Sequence, residues 1–547
     1  MMVIDMKEIL KIIKKKENKY FKERQEKFDE IFNENSEKKI NQKISLRKSK
    51  KNEILMSKRA KILSSKIPSL YESKLKNQNL SPTILSLYEE EKKCSQENFD
   101  VIITKYFNHL QNISKNNFDD TYFILERLLI IISTMDEEKL YNIIDYYSLI
   151  YKLFDLFDMF TYINKIHIYQ TFKILVNISM RKNKDLMNKL INPSSVKYIY
   201  NFLEELFQEP ENNSELICQI LLFLMNLLED NQFIQYIYYK YKIFDLLYEF
   251  ILKNKDTKDL NERNINHHIV TFFSLYIAVL FDENEEIYIN NKELIINKLY
   301  NLFEYFLINN YENKELLLDV VWGLSNLLIQ LNERDSFIDL LSKKYFDNIL
   351  NQLFVLVKIS TDFVIPIFRV IGNLTSLKNS YCESFFNEPW APYLLSLLGL
   401  NYILPKHKLL IIWILHNICA GTNFTCLKQF NMNEILLNSL KKENNSDVLF
   451  HLLKLYYGII NNTNDDYWSE ELIDAIILII KKDVNIKINF VCCYLCEKLF
   501  DGKYQKYIDK LNEIGFKEIL ENWSVLDNEE IKMSANYILD NFYKNNI

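Results

Sequence analysis

Two short strings in this chain pair a tryptophan with an asparagine four residues on: Trp322 with Asn326 in "WGLSN" and Trp413 with Asn417 in "WILHN". Four residues is about one helical turn, so ring and amide share a helix face. A side-chain amide carries both donor and acceptor. It can grip the backbone N–H and C=O of an extended peptide whatever that peptide's sequence. A ring beside it offers a flat surface to the stem and charge of a Lys or Arg. One such pair is ordinary, with the ring filling core and the amide capping a loop. The asparagine recurs, however. Asn177, Asn226, Asn326, Asn373, Asn417 and Asn461 each follow an apolar run and precede a polar loop. The successive differences are 49, 100, 47, 44 and 44. The interval of 100 holds one repeat without the asparagine, "TFFSLYIAVLFDENEE", where Phe273 with Ile277 or Tyr276 with Leu280 are alternatives for the pair. A core face has no need of an amide at every period, so the implied chemistry is capture of an extended basic peptide.

The elements that must carry these residues are helices. The chain has 547 residues, 48% of them apolar, with only 7 glycines and 8 prolines. Antiparallel sheets need tight turns, which favour Gly and Pro, so the composition predicts an all-α protein. A period near 45 residues is that of armadillo or HEAT repeats, in which each unit of two or three helices covers its neighbour's apolar face. The expected organisation is a charged, largely unpacked arm over 1–66, a polar linker over 67–100, and about ten armadillo repeats over 101–547. These repeats would form a right-handed superhelical solenoid.

The arm is chemically distinct. Lys38, Lys39, Lys43, Arg47, Lys48, Lys50, Lys51, Lys58, Arg59, Lys61 and Lys66 surround one acid, Glu53, so 11 − 1 gives +10 on a chain whose net charge is −6. The remainder is therefore near −16. Such an imbalance points to an acidic partner, which the body of the chain can itself supply, or to nucleic acid. No RNA- or DNA-binding module accompanies the arm, and an acidic body opposes phosphate, so nucleic acid is set aside.

Other classes find little support. No apolar run reaches the roughly 18 residues that span a bilayer, and the start, "MMVIDMKEILKIIKKK", lacks the apolar core of a secretory signal. Eight cysteines in so long a chain fit a reducing compartment. Cys493 and Cys496 form a lone C-x-x-C, expected as a buried helix face rather than a metal site. His267 and His268 are adjacent, point to different sides of a helix and are expected in solvent. No nucleotide-binding, hydrolase or zinc-protease motif occurs, so no catalytic residue, metal or cofactor is expected.

Two independent features together resemble the importin-alpha family of nuclear import adaptors. The arm "LRKSKKNEILMSKRAK" is similar to that family's importin-beta-binding segment. The strings "WGLSN", "RVIGN" and "WILHNICAG" are similar to its third-helix strings, and "YIDKLNEIGFKEILENWSVLDNEEIKMSANYILDNFY" to its last repeat. The resemblance covers about 38 to 543. It implies that Arg47, Lys48, Lys50 and Lys51 bind importin-beta, and that Lys58, Arg59 and Lys61 mimic a nuclear localization signal and occupy the chain's own groove when importin-beta is absent. It implies a minor groove of Arg369 with Asn373, Trp413 with Asn417, and Tyr457 with Asn461. It implies a major groove of Asn177, Asn226 and Asp230, with Trp322 and Asn326 between the grooves. It also implies shuttling between cytoplasm and nucleus, and an export-receptor surface near Tyr504–Tyr543. The chain departs from the pattern where Lys173 and Leu222 stand at tryptophan positions. A Lys there repels a cargo Lys and a Leu offers no ring face, so the later groove around Trp413 is expected to carry most basic-peptide binding. A scaffold of armadillo repeats without a transport role is the alternative.

Overall fold

The computed structural model describes residues 80–543, apart from 94–98, 113–117, 135–139, 143–149, 152, 155–156, 158–164, 181–188, 192, 229–241, 280–291, 310–312, 332–337, 378–384, 386–390, 399, 401–402, 421–431, 463–467, 483–484, 503 and 527. The arm residues Arg47, Lys48, Lys50, Lys51, Lys58, Arg59 and Lys61 lie outside the described residues, as does Asp230. Among the described residues every regular element is a helix. The chain divides into two compact units, Met1–Phe250 with Lys258–Ile265, and Ile251–Thr257 with Asn266–Ile547.

In the first unit the helices are α1 (Pro82–Lys93), α2 (Phe99–Asn112), α3 (Phe118–Thr134), α4 (Lys165–Ser179), α5 (Pro193–Leu206) and α6 (Pro210–Leu227). The helices α7 (Ile243–Asn254) and α8 (Leu260–Val279) contribute residues to both units. The second unit continues with α9 (Lys292–Asn309), α10 (Lys314–Ile329) and α11 (Ile338–Lys344), which passes through a π turn, Tyr345–Ile349, into α12 (Leu350–Ile359). Then come α13 (Val364–Thr375), α14 (Ala391–Leu398), α15 (Pro405–Ala420), α16 (Met432–Lys442), α17 (Ser446–Asn462), α18 (Glu470–Lys482), α19 (Ile486–Asp501), α20 (Gln505–Glu513), α21 (Phe516–Ser524) and α22 (Glu529–Ile538).

The sequence marks where these helices start. Pro82, Pro193, Pro210 and Pro405 each open a helix, at the position where a missing N–H leaves nothing unpaired. Elsewhere an asparagine caps. The Oδ1 atoms of Asn313, Asn445, Asn485 and Asn528 accept from the backbone N–H of Leu316, Val448, Lys487 and Ile531 at 2.9–3.1 Å, satisfying donors that a helix start otherwise orphans.

The packed region begins before residue 101. Within the stretch expected as linker, α1 buries Ile84 and Leu87 and packs against α2. Its Glu91, 6% exposed, accepts from Tyr106 Oη at 2.7 Å and from Arg127 Nε at 2.9 Å. A second Arg127 nitrogen, Nη2, meets Glu91 Oε1. The charged string "EEEKK" reads as solvated, yet its third glutamate is pinned by groups from α2 and α3 that are distant in sequence.

In each unit the last helix of one repeat lies along the last helix of the next. In the first unit α3 packs on α4 and α4 on α6. In the second, α10 packs on α13, α13 on α15, α15 on α17, α17 on α19 and α19 on α22. The asparagines of the recurring strings all lie on these stacked helices.

Candidate peptide-binding site

The stacked helices are held in register by the asparagines themselves. Asn226, 3% exposed, donates Nδ2–H to Val176 O at 3.3 Å and Ser179 Oγ at 2.9 Å on α4. In the second unit Asn326 donates to Ser274 O at 2.9 Å, Asn373 to Ser325 O at 3.1 Å, and Asn417 to Gly372 O at 2.9 Å. Each acceptor carbonyl sits one residue before the corresponding asparagine of the preceding repeat: Val176 before Asn177, Ser325 before Asn326, Gly372 before Asn373. Helix stacks with this repeat length and this tie between last helices define the architecture. Each unit is built of armadillo-type repeats.

The rule corrects the register of the repeat that lacks the asparagine. Ser274 accepts from Asn326, so Leu275 holds the asparagine position on α8 and Thr271 the tryptophan position. Neither Phe273 with Ile277 nor Tyr276 with Leu280 is the pair. Phe273, Tyr276 and Ile277 are fully buried. A helix apolar on nearly every side gives periodicity no phase to lock onto. Spacing held the missing signal, since 226 + 49 is 275, the same step that separates Asn177 from Asn226.

Around this ladder the side chains differ from repeat to repeat. Trp322 and Trp413 are half-buried. Arg369, at the tryptophan position of α13, is 6% exposed and puts its guanidinium carbon 5.5 Å from the centre of the Trp322 ring, so a cation of the chain's own already faces that indole. Tyr457, 7% exposed, meets Tyr494 of α19 edge to face at 6.0 Å. Asn461 lies on α17, and its side chain is outside the described residues. Lys454, one turn before Tyr457 and 4% exposed, rests its ammonium 5.0 Å from the Phe450 ring centre.

In the first unit Asn177 turns its Nδ2–H back on its own helix, to Lys173 O at 2.9 Å. Lys173 stands at the tryptophan position and places its Nζ 4.3 Å from the Tyr169 ring centre. Burial, then the nearby Glu215 carboxylate, push the Tyr169 hydroxyl up to about 12. Leu222 is buried, at 6% exposed. Where the pattern calls for a ring, this unit thus offers an ammonium and a buried aliphatic chain.

Several participants escaped the sequence reading. Ser179, Ser325 and Thr375 bring hydroxyls to the same ties, at 2.9, 3.3 and 3.5 Å from their asparagines. Asp319, three residues before Trp322, accepts from Thr271 Oγ1 at 2.6 Å and lies 3.2 Å from His267 Nε2. His267 is therefore half-buried against a carboxylate, contrary to the expectation of solvent. A single threonine, Thr271, at a position where other repeats carry a ring marks no pattern by itself, so only packing reveals this set. Cys493 and Cys496 lie buried in α19, and burial pushes the Cys496 thiol well up.

Comparisons with known proteins add modestly to this picture. No family model matches the chain. No curated protein matches it either. Among solved structures it is similar to a designed armadillo repeat protein in complex with peptide (KR)4, at 19% identity over 44% of this chain and 97% of that one, with a TM-score of 0.36. It is also similar to a chain from a structure described as "A conserved phosphorylation switch controls the interaction between cadherin and beta-catenin in vitro and in vivo", at 11% identity over 80% of this chain and 86% of that one, with a TM-score of 0.49.

The ties make a stability prediction. Asn226→Leu removes two buried hydrogen bonds while Val176 O keeps Met180 N–H and Ser179 Oγ as donors, so it is expected to cost about 1.5 kcal/mol. Asn326→Leu is expected to cost less, because Asn326 ties a single carbonyl, Ser274 O, where Asn226 ties a carbonyl and a hydroxyl. Urea unfolding of the two variants checks the order. Equal stability of Asn226→Leu and the parent chain would show that the tie contributes nothing.

Proposed function

We propose that this protein is a nuclear import adaptor. It binds nuclear localization signals along the stacked last helices of its repeats and links them to importin-beta through its basic arm. The observation that carries this reading is the in-phase placement of Trp322 with Asn326, Arg369 with Asn373, and Trp413 with Asn417 on successive stacked helices, in a chain whose residues 38–66 carry +10. The half-buried Trp413 is the ring on which a cargo Lys or Arg stem would lie. The same arm segment, through Lys58, Arg59 and Lys61, competes for that surface until importin-beta takes Arg47, Lys48, Lys50 and Lys51. Cargo affinity then rises because two positions of one segment exclude each other.

A chain starting at residue 67 retains every described helix, since α1 opens at Pro82. Titrated with a fluorescein-labelled ten-residue peptide of lysine and arginine, it is expected to bind about tenfold more tightly than the full chain, within the usual range of coupling between competing sites. Equal affinities would eliminate self-competition. Importin-beta should be retained by the full chain and not by the truncated one.

A second reading is a protein-interaction scaffold without a transport role. Lys173, Arg369 and Lys454 favour it, since they place cations at or beside three positions where a basic cargo would bring its own. Failure to retain importin-beta, with peptide binding intact, selects it.

A further inference from the structure

Gly372 is the one glycine at a ladder position that other repeats fill with Val176, Ser274 and Ser325. It precedes Asn373 on α13, and its carbonyl receives the Asn417 amide at 2.9 Å. Its bare Cα also receives the Trp413 indole. A Cβ built on Gly372 would fall 2.5 Å from Cε3 and 2.6 Å from Cη2 of Trp413, and closer still to Cζ3. The six-membered part of the indole therefore lies directly against the backbone, in the space a side chain would fill. Trp413 and Asn417 are one turn apart, so a single residue of the neighbouring repeat seats both members of the candidate binding pair: the ring by steric absence, the amide by hydrogen bond.

The arrangement is peculiar to this repeat. Opposite Trp322 the corresponding residue is Ser274, whose carbonyl likewise accepts from the asparagine one turn on. Serine carries a Cβ, so an indole lying as Trp413 does would collide there. Trp322 is faced instead by the Arg369 guanidinium. The two tryptophans thus share a sequence pattern and not a pose. The glycine is not required by the helix, which it weakens, nor by backbone conformation, since among the described glycines only Gly515 has positive φ. What remains is the close approach of the ring.

We infer that Gly372 is the positioning residue for peptide recognition by Trp413 and Asn417, setting the angle at which the indole meets a basic side chain. This rests on the peptide-binding reading above. In Gly372→Ala the methyl group pushes the ring off α13 and lengthens the Asn417 tie, while the rest of the stack keeps its contacts.

The experiment uses the full chain labelled with 5-fluorotryptophan. The Trp413 fluorine resonance is assigned by its loss in Trp413→Phe. In Gly372→Ala this resonance is expected to move and gain solvent sensitivity, with those of Trp468 and Trp523 unmoved. Affinity for the labelled lysine–arginine peptide is expected to fall about tenfold, the scale of one misplaced aromatic contact. In the Trp413→Phe background, Gly372→Ala should add little further loss, because the smaller ring leaves room for the methyl. An unmoved Trp413 resonance overturns the inference, as does an equal affinity loss in both backgrounds. If the parent chain does not bind the peptide, the peptide-binding reading fails, and the positioning role for recognition fails with it. If the parent binds and Gly372→Ala binds equally well, that reading stands and Gly372 has no part in it.

Discussion

Replacing Trp413 and Asn417 together with alanine is expected to weaken binding of a lysine–arginine peptide by about 30-fold, roughly 2 kcal/mol, the loss typical of an aromatic anchor. The ring is half-buried, and its apolar face together with cation–π attraction accounts for most of that figure. Asn226→Ala is expected to change peptide affinity by less than threefold, because its amide is buried in the tie to Val176 and Ser179 and the neighbouring tryptophan positions carry Lys173 and Leu222. Anisotropy titrations well below the unfolding midpoint separate binding from stability. A greater loss from Asn226→Ala than from the Trp413 and Asn417 pair would place recognition in the first unit and refute the assignment.

The largest expected loss of stability lies in a different place, at Glu91. Its carboxylate, 6% exposed, accepts from Tyr106 and Arg127, and Arg127 also lies over the Tyr88 ring at 5.4 Å. Glu91→Ala leaves a guanidinium facing a buried hydroxyl with the balancing charge gone. Breaking a buried pair in this way costs about 3–5 kcal/mol. The first unit is expected to lose its cooperative unfolding transition at lower urea than the second, giving a biphasic curve in the variant. Replacing Glu91 and Arg127 together with Gln and Met should recover much of the loss, because no lone charge then remains buried. A single unchanged transition for Glu91→Ala would show that the cluster is not the clasp of α1 to α2 and α3.

These two cases differ in how far the chain alone revealed them. Trp413 and Asn417 could be read as a pair because a four-residue step on a helix has one geometric meaning, and the recurrence of the asparagine, mostly at 44 to 49 residues, announced a stack of like repeats. Glu91 could not. In "EEEKK" three adjacent glutamates look alike, and only the arrival of Arg127, 36 residues later, chooses the one that is buried. The same holds for α1 as a whole. Its mixed polarity resembles a linker, and its membership of the packed array depends on a partner face that local pattern does not describe.

All-helical architecture, repeat length and the shared face of each Trp/Asn pair follow from composition and period, because backbone hydrogen bonding in a helix is local and its 3.6-residue pitch is the same wherever it occurs. The use to which each face is put follows from contacts between repeats. Packing turned the amide donors inward onto neighbouring carbonyls, put Arg369 over Trp322, set Trp413 against Gly372 and assigned Leu275 to the vacant asparagine position. Those outcomes depend on which atoms of two separate helices come within a few ångströms of each other, a distance to which hydrogen bonds and ring contacts respond steeply and which one-dimensional spacing does not encode.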